Sequence, residues 1–326
     1  MDMPRPQEPP PRPPPVLPEA PTGSAPEPSP TVPPGPPAAS RRRRLQGIGL
    51  MCLALVCFTL LDGTAKWLGR SMDPLAVVWA RYAVSMVAVS LFVNPWNTPG
   101  LARSNRLGLQ IARSVLLLVS TAMNFMALQH LQLAQTISIL FATPLIVALL
   151  SGPLLGERVG PRRLAAIGVG FVGVLVITRP GLGTMHPAVL LSVAGAVAYA
   201  VYNVLTRRLA AHDSTATTLF YSGLAGTALT TPLLPIVWTQ PPSPEAWILL
   251  GMIGVFGAAG HWLLILAHAR APAAVLAPFI YTQIVWMTAL GYAAFGDLPD
   301  LWTLAGGLIV IGSGLYLLHR ERARRG

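Results

Sequence analysis

Charged side chains are scarce in this chain of 326 residues, of which 11% are Asp, Glu, Lys or Arg and 53% are hydrophobic. Soluble globular proteins carry about 25% charged residues, so the sequence lacks the charge that a water-facing surface requires. The mean hydropathy of +0.56 agrees with this deficit. A soluble enzyme, a disordered hub and a coiled coil are therefore excluded, and an integral membrane protein is predicted.

Cysteine and lysine are nearly absent. Cys52 and Cys57 lie five positions apart in one apolar run, so they offer neither a disulfide framework nor a metal-site spacing. Of the 23 basic residues only Lys66 is a lysine, and the net charge is +11. The arginines lie at the ends of apolar runs, a pattern typical of membrane topology rather than of nucleic-acid binding. We therefore expect no nucleic-acid partner and no metal.

Signatures of catalysis and of nucleotide binding are missing as well. The sequence contains no His-Glu-x-x-His, no Gly-x-Ser-x-Gly and no Gly-Lys-Ser/Thr segment. Glycines within the apolar runs, such as Gly170 and Gly173, instead predict close contact between helices. We expect no enzyme activity and no cofactor; a membrane-embedded transferase and a channel remain as weaker alternatives.

Proline is concentrated before the apolar part of the chain, with seventeen of the 33 prolines in residues 1–40. Such a segment supplies few helix donors and no apolar face, so we predict that residues 1–44 form a disordered cytoplasmic tail. Arg41–Arg44 close this tail, and residues 320–326 form a second basic tail. Both arginine clusters are expected to contact anionic lipids of the bilayer.

From residue 45 onwards, apolar runs long enough to cross a bilayer follow one another with short turns between them. We predict an all-α integral membrane fold with ten transmembrane helices; nine is the main alternative count. The predicted spans are 45–68, 74–94, 107–128, 132–154, 161–178, 188–208, 215–238, 246–268, 273–295 and 301–318. The loops between them leave no room for a soluble domain.

Arginine placement predicts the orientation of these spans. If both termini lie in the cytoplasm, sixteen arginines fall on the inner side and only Arg70 and Arg179 fall on the outer side. Membrane proteins keep Lys and Arg in their cytoplasmic loops. We therefore predict a multi-pass protein of the cell (inner) membrane with both termini cytoplasmic, which also favours an even number of spans.

The two halves of the apolar region repeat each other. At an offset of 140 residues Glu157 falls on Asp297, and at an offset of 141 Asp62 falls on Asn203. A near-constant offset over most of the chain indicates a duplication. Because five spans is an odd number, the second copy must be inverted in the membrane, and inverted five-helix repeats are typical of secondary transporters.

Several segments of the sequence carry a family signature. They are Thr143-Pro144-Leu145, Leu155-Gly156-Glu157-Arg158, the glycine-spaced run 170–177 and Arg179-Pro180-Gly181. Together they resemble EamA-type transporters of the drug/metabolite transporter (DMT) superfamily, and the second half resembles the same signature with Gly296-Asp297 in place of Gly-Glu. The resemblance covers residues 45–180 as a first repeat and residues 187–319 as a second.

The resemblance implies a ten-helix carrier with a central cavity, usually an exporter, and structural roles for Glu157, Pro144, Gly170 and Gly173. With the repeats, it favours a secondary transporter that moves a small metabolite, such as an amino acid or a drug-like compound, by alternating access. A lipid or lipid-linked-sugar flippase of the same fold is the alternative. A homodimer is compatible with this architecture.

Three charged residues within the apolar runs are candidate binding groups. Asp62 and Lys66 are four apart on the first span, the order that favours a helical ion pair, and Arg81 enters the second span from the same side. Charged groups at membrane depth are costly unless they are paired or face water. We predict one cluster with two possible roles. It is either a static ion pair that ties two helices together, with Lys66 reaching the surface, or a group that holds a substrate carboxylate and, at Asp62, a proton.

Other polar residues within the spans have both a binding and a structural interpretation. Arg113 is expected to snorkel to the interface or to pair with Glu157. His261 is either a packing histidine or a proton relay. Four further side chains can hydrogen-bond a ligand or pack between helices, namely Asn124, Asn203, Tyr281 and Gln283.

Overall fold

The structure is a computed structural model that describes residues 37–91, 98, 100–155, 160–180 and 186–323. All regular elements within these ranges are helices, and no strand occurs in them. Contacts divide the chain into residues 1–40 and residues 41–326, and the architecture below is that of the second unit. Residues 1–36 of the proline-rich segment and Glu157 lie outside the described residues.

In the described residues of the first half of the apolar region there are six helices. They are α1 (Pro37–Leu68), α2 (Pro74–Ser90), α3 (Leu107–Leu128), α4 (Leu133–Leu140), α5 (Thr143–Leu155) and α6 (Pro161–Thr178). The described part of the second half contains seven helices and one 3-10 turn. They are α7 (Ala188–Leu209), α8 (Thr215–Thr230), the 3-10 turn Thr231–Leu233, α9 (Leu234–Val237), α10 (Pro244–Arg270), α11 (Ala273–Ile280), α12 (Gln283–Phe295) and α13 (Leu301–Ala323).

Helix starts follow local sequence signals. Asp73 precedes Pro74, the first residue of α2, and its carboxylate accepts the backbone N–H of Leu75 at 2.8 Å. Ser243 precedes α10, and its hydroxyl accepts the backbone N–H of Ala246 at 3.3 Å. These side chains satisfy donors that a helix start leaves free, and proline is tolerated there because its missing N–H would have no partner.

The predicted span 132–154 consists of two helices rather than one. α4 ends at Leu140, and α5 begins at Thr143. Pro144 has no N–H to donate to the carbonyl of Leu140, which lies four residues earlier, so a single helix cannot run through this point unbroken.

The predicted span 273–295 is divided in the same way, into α11 and α12. α11 ends at Ile280, and α12 begins at Gln283. Between them the hydroxyl of Thr282 donates to the carbonyl of Phe279 at 2.7 Å. This bond satisfies one of the carbonyls that the end of α11 leaves free.

Eight segments of the described chain are long and apolar enough to cross a membrane, judged by length and composition. They are Arg41–Leu68, Leu107–Leu128, Leu133–Leu150, Ala188–Leu209, Thr215–Val237, Pro244–Arg270, Val275–Phe295 and Leu301–Arg320. Two shorter apolar helices accompany them, Pro74–Ser90 and Leu164–Thr178. The prediction of an all-helical, multi-pass membrane protein is therefore confirmed.

Helices α6 and α13 touch backbone to backbone. A Cβ on Gly173 would lie 2.8 Å from the carbonyl oxygen of Gly306, and a Cβ on Gly306 would lie 2.6 Å from the carbonyl oxygen of Gly173. Gly170, one turn earlier, faces the side chains of Leu145 and Ser313 and leaves no room for a side chain of its own. Gly170 and Gly173, expected from the sequence to allow close helix contact, thus lie at this crossing.

We predict that Gly173→Ala lowers the thermal unfolding temperature, because its new Cβ meets a backbone oxygen that cannot move aside. Overpacking of this kind costs about 1–3 kcal/mol. Gly168→Ala, on the same helix, is the matched control, since a Cβ there meets nothing within 4 Å. Alanine also favours a helix over glycine by about 1 kcal/mol, so the control should unfold at the same or a higher temperature. Equal losses in the two variants would contradict the close crossing.

Candidate functional site

A cavity of about 380 Å³ lies among α2, α3, α7, α8 and α10. Its walls are mostly apolar, and a few polar side chains from both halves of the chain converge on it. The polar lining residues are Arg81, Tyr82, Ser85, Arg113, Tyr202, Ser222, His261 and Trp262. A concave apolar site with a few convergent polar groups is the usual form of a small-molecule site.

Arg113 on α3 is the most buried charged group of the cavity, with 2% of its surface exposed. Its guanidinium donates to neutral acceptors on three helices. They are the hydroxyls of Thr206 (2.8 Å), Tyr202 (2.9 Å) and Ser222 (3.0 Å), the carbonyl of Thr218 (3.0 Å) and the side-chain oxygen of Gln110 (3.4 Å). Arg113 therefore lies inside the bundle rather than at the interface, because these acceptors replace water.

Arg81 on α2 is the second guanidinium of the cavity, and 8% of its surface is exposed. One terminal nitrogen, Nη1, donates to the hydroxyl of Thr121 at 3.1 Å, and the guanidinium carbon lies 4.6 Å from the ring centroid of Tyr82. The Nε of Arg81 is buried and has no hydrogen-bond partner within the described part of the chain. Arg81 is therefore held on one side and unsatisfied on another.

Asp62 on α1 accepts a hydrogen bond from the side-chain amide of Asn124 at 3.2 Å. Its carboxylate is near enough to Arg81 for the two charges to interact, although among the described residues they form no ion pair within 4.0 Å. Asp62 does not line the cavity. The two residues are thus neighbours, as the sequence predicts, without direct contact.

Lys66 does not join Asp62 and Arg81, which corrects the prediction of a single cluster. Its ammonium pairs with Asp297 at 2.5 Å and donates to the carbonyl of Leu131 at 2.9 Å. The ion pair connects the end of α1 to the turn between α12 and α13. Lys66 turns towards this end of the bundle because both an anion and a free carbonyl lie there, one turn beyond Asp62.

A second ion pair reaches the same turn, between Arg179 and Asp300 at 2.6 Å. Partial burial raises the pKa of the Asp300 carboxyl, but hydrogen bonds from Thr303 and the charge of Arg179 outweigh it, so the pKa lies below its usual value. We call these four residues, Lys66, Arg179, Asp297 and Asp300, the Lys66 end of the bundle. Both ion pairs join the first half of the chain to the second.

The opposite end of α3 carries a different connection between the halves. Asp213, in the turn after α7, accepts the hydroxyl of Ser104 at 2.5 Å, the backbone N–H of Asn105 at 2.9 Å and the side-chain amide of Gln110 at 3.2 Å. We call this group the Asp213 end. Hydrogen bonds to a carboxylate are stronger than those between neutral groups, so one side chain fixes the loop before α3.

The other predicted site residues divide into two groups. His261 lines the cavity, packs edge-on against Phe58 with 5.1 Å between ring centroids, and lies within the field of both arginines. Four others lie outside the cavity lining. Asn203 donates to the carbonyl of Tyr199 in its own helix at 2.7 Å, and Asn124 donates to Asp62. Tyr281 packs edge-on against Phe141, with 5.0 Å between ring centroids, and Gln283 is buried at the start of α12.

The sequence analysis names Arg113 and Asn124 but not the polar face of α3 to which they belong, which we define as Gln110, Arg113, Thr121 and Asn124. These residues are spaced by three, eight and three positions, so they share one side of a helix that crosses the whole bundle. The spacing was visible in the sequence as polar residues recurring within an apolar run. Its partners were not, since they lie on other helices.

We predict that Asp297→Asn lowers the thermal unfolding temperature, because it leaves the Lys66 ammonium without an anion. The side chains of the pair are 12% and 26% exposed, so the loss should lie between surface and buried pairs, about 1–3 kcal/mol. Asp300→Asn is the matched control, because its pair is more exposed and the amide oxygen still caps Thr303; we expect a loss under about 1 kcal/mol. The reverse order of the two losses would contradict this assignment.

Comparison with known proteins agrees with this architecture. The chain is 25% identical over 281 residues to an S-adenosylmethionine uptake transporter of Rickettsia prowazekii, covering 85% of this chain and 94% of that protein. It is 28% identical over 280 residues to a riboflavin transporter of Vibrio cholerae, with the same two coverages. It is 26% identical over 278 residues to a pseudopaline exporter of Pseudomonas aeruginosa, covering 85% of this chain and 97% of that protein.

A solved crystal structure shares the fold, with a TM-score of 0.59 at 19% sequence identity over 87% of this chain and 98% of the other. The model of the EamA-like transporter family matches residues 45–179 and again residues 186–319. These two matches take in nearly all of the apolar region, and the relatives are transporters rather than enzymes. The chain therefore belongs to the EamA-like transporter family.

Proposed function

We propose that this protein is a secondary carrier that moves a small organic solute, such as an amino acid or a drug-like compound, through the cavity by alternating access. One observation carries the proposal. Polar side chains from both family-matched segments converge on one cavity between membrane helices: the buried Arg81 and Arg113 from the first, and the half-buried Tyr202 and His261 from the second. Carriers bind their substrates at such a boundary between repeats.

Ten membrane helices in two inverted repeats form part of the proposal. Its support is the spacing of the divided helices: α4 and α11 begin at 133 and 273, and α5 and α12 begin at 143 and 283. The offset is 140 residues in both cases, the same offset that the sequence repeats. Divided helices in corresponding positions of the two halves are a feature of transporter repeats.

The two ends of the bundle supply what alternating access requires. The Lys66 end and the Asp213 end each join the first half to the second, and α3 runs from one end to the other. For the cavity to open to one side, the contacts at that end have to break while those at the opposite end persist. Polar contacts suit this role because water replaces them when they separate.

The proposed orientation places both termini in the cytoplasm of the inner membrane. It rests on the sixteen arginines that then lie inside, where they also meet anionic lipids. The Lys66 end is then the outer end and the Asp213 end the inner end. Export as the net direction rests on the family resemblance alone, and the names of the relatives include both uptake and export.

We predict that alkaline phosphatase inserted in the loop 238–243, between α9 and α10, is active, because this loop faces outward in the proposed orientation. The same enzyme fused after Arg325 should be inactive, since it needs the oxidising exterior to fold. Activities of both fusions are measured on whole cells with matched expression. An active C-terminal fusion beside a silent loop fusion would reverse the orientation.

We predict that a cysteine in the cavity is reached by water from one side at a time. In a Cys52→Ser, Cys57→Ser background, Met86→Cys is tested with a membrane-impermeant maleimide on right-side-out and inside-out vesicles. Asp297→Asn weakens the Lys66 end and should increase labelling from outside, whereas Asp213→Asn should increase labelling from inside. Ser71→Cys, at an exposed position just after α1, is the control for vesicle orientation.

Two outcomes of this experiment would contradict the carrier. Rapid labelling of Met86→Cys from both sides in the same preparation indicates a channel, because water then reaches the cavity from both faces at once. If neither Asp297→Asn nor Asp213→Asn changes the labelling of Met86→Cys, the contacts at the two ends do not control access to the cavity. The basis for alternating access is then removed.

A further inference from the structure

The two guanidiniums give the cavity and its surroundings a net positive charge. Among the described residues that line it, none is acidic. The carboxylate of Asp62, which lies outside the lining and accepts a hydrogen bond from Asn124, interacts with Arg81 and sets one negative charge against the two positive ones. In a low-dielectric setting a charge without a counter-ion is costly. The cavity is therefore built to favour an anion over a cation.

Arg113 supplies charge but has little capacity left for binding. Neutral oxygens take donors from all three of its nitrogens, so its guanidinium is locked in place. Because hydroxyls and carbonyls do not neutralise a cation, the full positive charge still acts on the cavity. Arg113 thus contributes a fixed positive charge rather than hydrogen-bond donors for a ligand.

Arg81 has the binding capacity that Arg113 lacks. A guanidinium has five N–H donors, and within the described part of the chain Arg81 donates one hydrogen bond, to Thr121. Its Nε is buried and unpartnered, although burial of a donor without an acceptor costs about 1–3 kcal/mol. A group that is 92% buried (8% exposed) and still lacks an acceptor indicates that a ligand supplies it.

The wall opposite this nitrogen is made of a glycine. A Cβ on Gly257 of α10 would lie 3.8 Å from the Nε of Arg81 and 3.2 Å from the hydroxyl of Ser85. Gly257 therefore offers this nitrogen no acceptor, and the Nε stays enclosed and unpartnered while the rest of the Arg81 guanidinium lines the cavity. The two terminal nitrogens of Arg81, which donate one hydrogen bond to Thr121, form a fork that matches the two oxygens of a carboxylate.

The rest of the cavity is apolar. Met86 on α2, Leu117 on α3, Leu219 on α8, and Val255 and Trp262 on α10 contribute to its lining. A free inorganic anion would leave these walls without contacts. A volume of about 380 Å³ lies at the small end of ligand pockets, which range from about 300 to 1,000 Å³.

We propose that the solute carried by this cavity is a small amphipathic carboxylate. Its carboxylate binds the terminal N–H groups of Arg81 within the field of Arg113, and its apolar body packs against Met86 and Trp262. This inference rests on the proposed function, because it names the substrate class of the same cavity. It excludes organic cations, which the two arginines repel.

Binding to the purified wild-type protein tests the proposal directly. The probes are 3-phenylpropionate, its neutral amide, 3-phenylpropylamine and acetate, each titrated by microcalorimetry at pH 7. We expect saturable binding of 3-phenylpropionate, with the amide and the amine at least about 10-fold weaker because they lack the charge-assisted bonds. Acetate should also be at least about 10-fold weaker, because it lacks the apolar body.

Variants place the binding at Arg81. Arg81→Gln should weaken 3-phenylpropionate about 10- to 100-fold, and Arg81→Lys should weaken it less, since it keeps the charge but loses the fork. Arg270→Gln, an exposed arginine outside the cavity that donates to the carbonyl of Leu266, is the matched control and should bind as the wild type does. If Arg81→Gln fails to fold, the selectivity of the wild type among the four probes still tests whether the cavity prefers a carboxylate.

The outcomes separate this inference from the proposed function. Equal binding of the three phenyl compounds, preference for the amine, or no binding of 3-phenylpropionate overturns the anion site, while the cysteine labelling still tests alternating access. A different pair of results would keep the anion site and overturn the carrier. In that case 3-phenylpropionate binds selectively, but labelled 3-phenylpropionate does not exchange across proteoliposomes, and the end variants do not change the labelling of the cavity cysteine.

Discussion

A guanidinium inside a membrane helix must find its acceptors in the protein, because lipid offers none. Arg113 meets this constraint by drawing oxygens from α7 and α8 onto the polar face of α3. Asn124 on the same face binds Asp62 of α1, and Thr121 binds Arg81 of α2. Four neighbouring helices are therefore positioned by one row of polar side chains, and the cavity is the space that this arrangement leaves beside it.

Much of the fold follows from composition and spacing. Apolar runs between proline and glycine turns predicted the bounds of α3 and α6 directly, since length and hydropathy alone decide what crosses a bilayer. The same runs did not reveal that α4 and α5 are separate helices, although Pro144 carries the reason. An apolar run has the same hydropathy whether or not the backbone hydrogen bonds within it are continuous. The missing N–H of Pro144 is the one sequence signal of this division.

The site was harder to predict than the fold. Asp62 and Lys66 share a helical face, and this local pattern favoured an ion pair between them, but the actual partner of Lys66 is 231 positions away. The acceptors of Arg113 on α7 and α8 lie 89 to 109 positions from it. Local spacing limits which residues share a helix face, whereas the choice between an anion four residues away and one on a distant turn depends on packing that a single sequence does not record.

The scarcity of lysine has a practical consequence at the Lys66 end. Lys66 is the one lysine side chain in the sequence, so an acylating reagent for primary amines has a single side-chain target, besides any N-terminal amine. Its side chain is 12% exposed and paired with Asp297, which hinders access of the reagent. The rate of acylation of Lys66 therefore follows the opening of that end. In the unaltered protein this rate reports one half of the conformational cycle, with no introduced label.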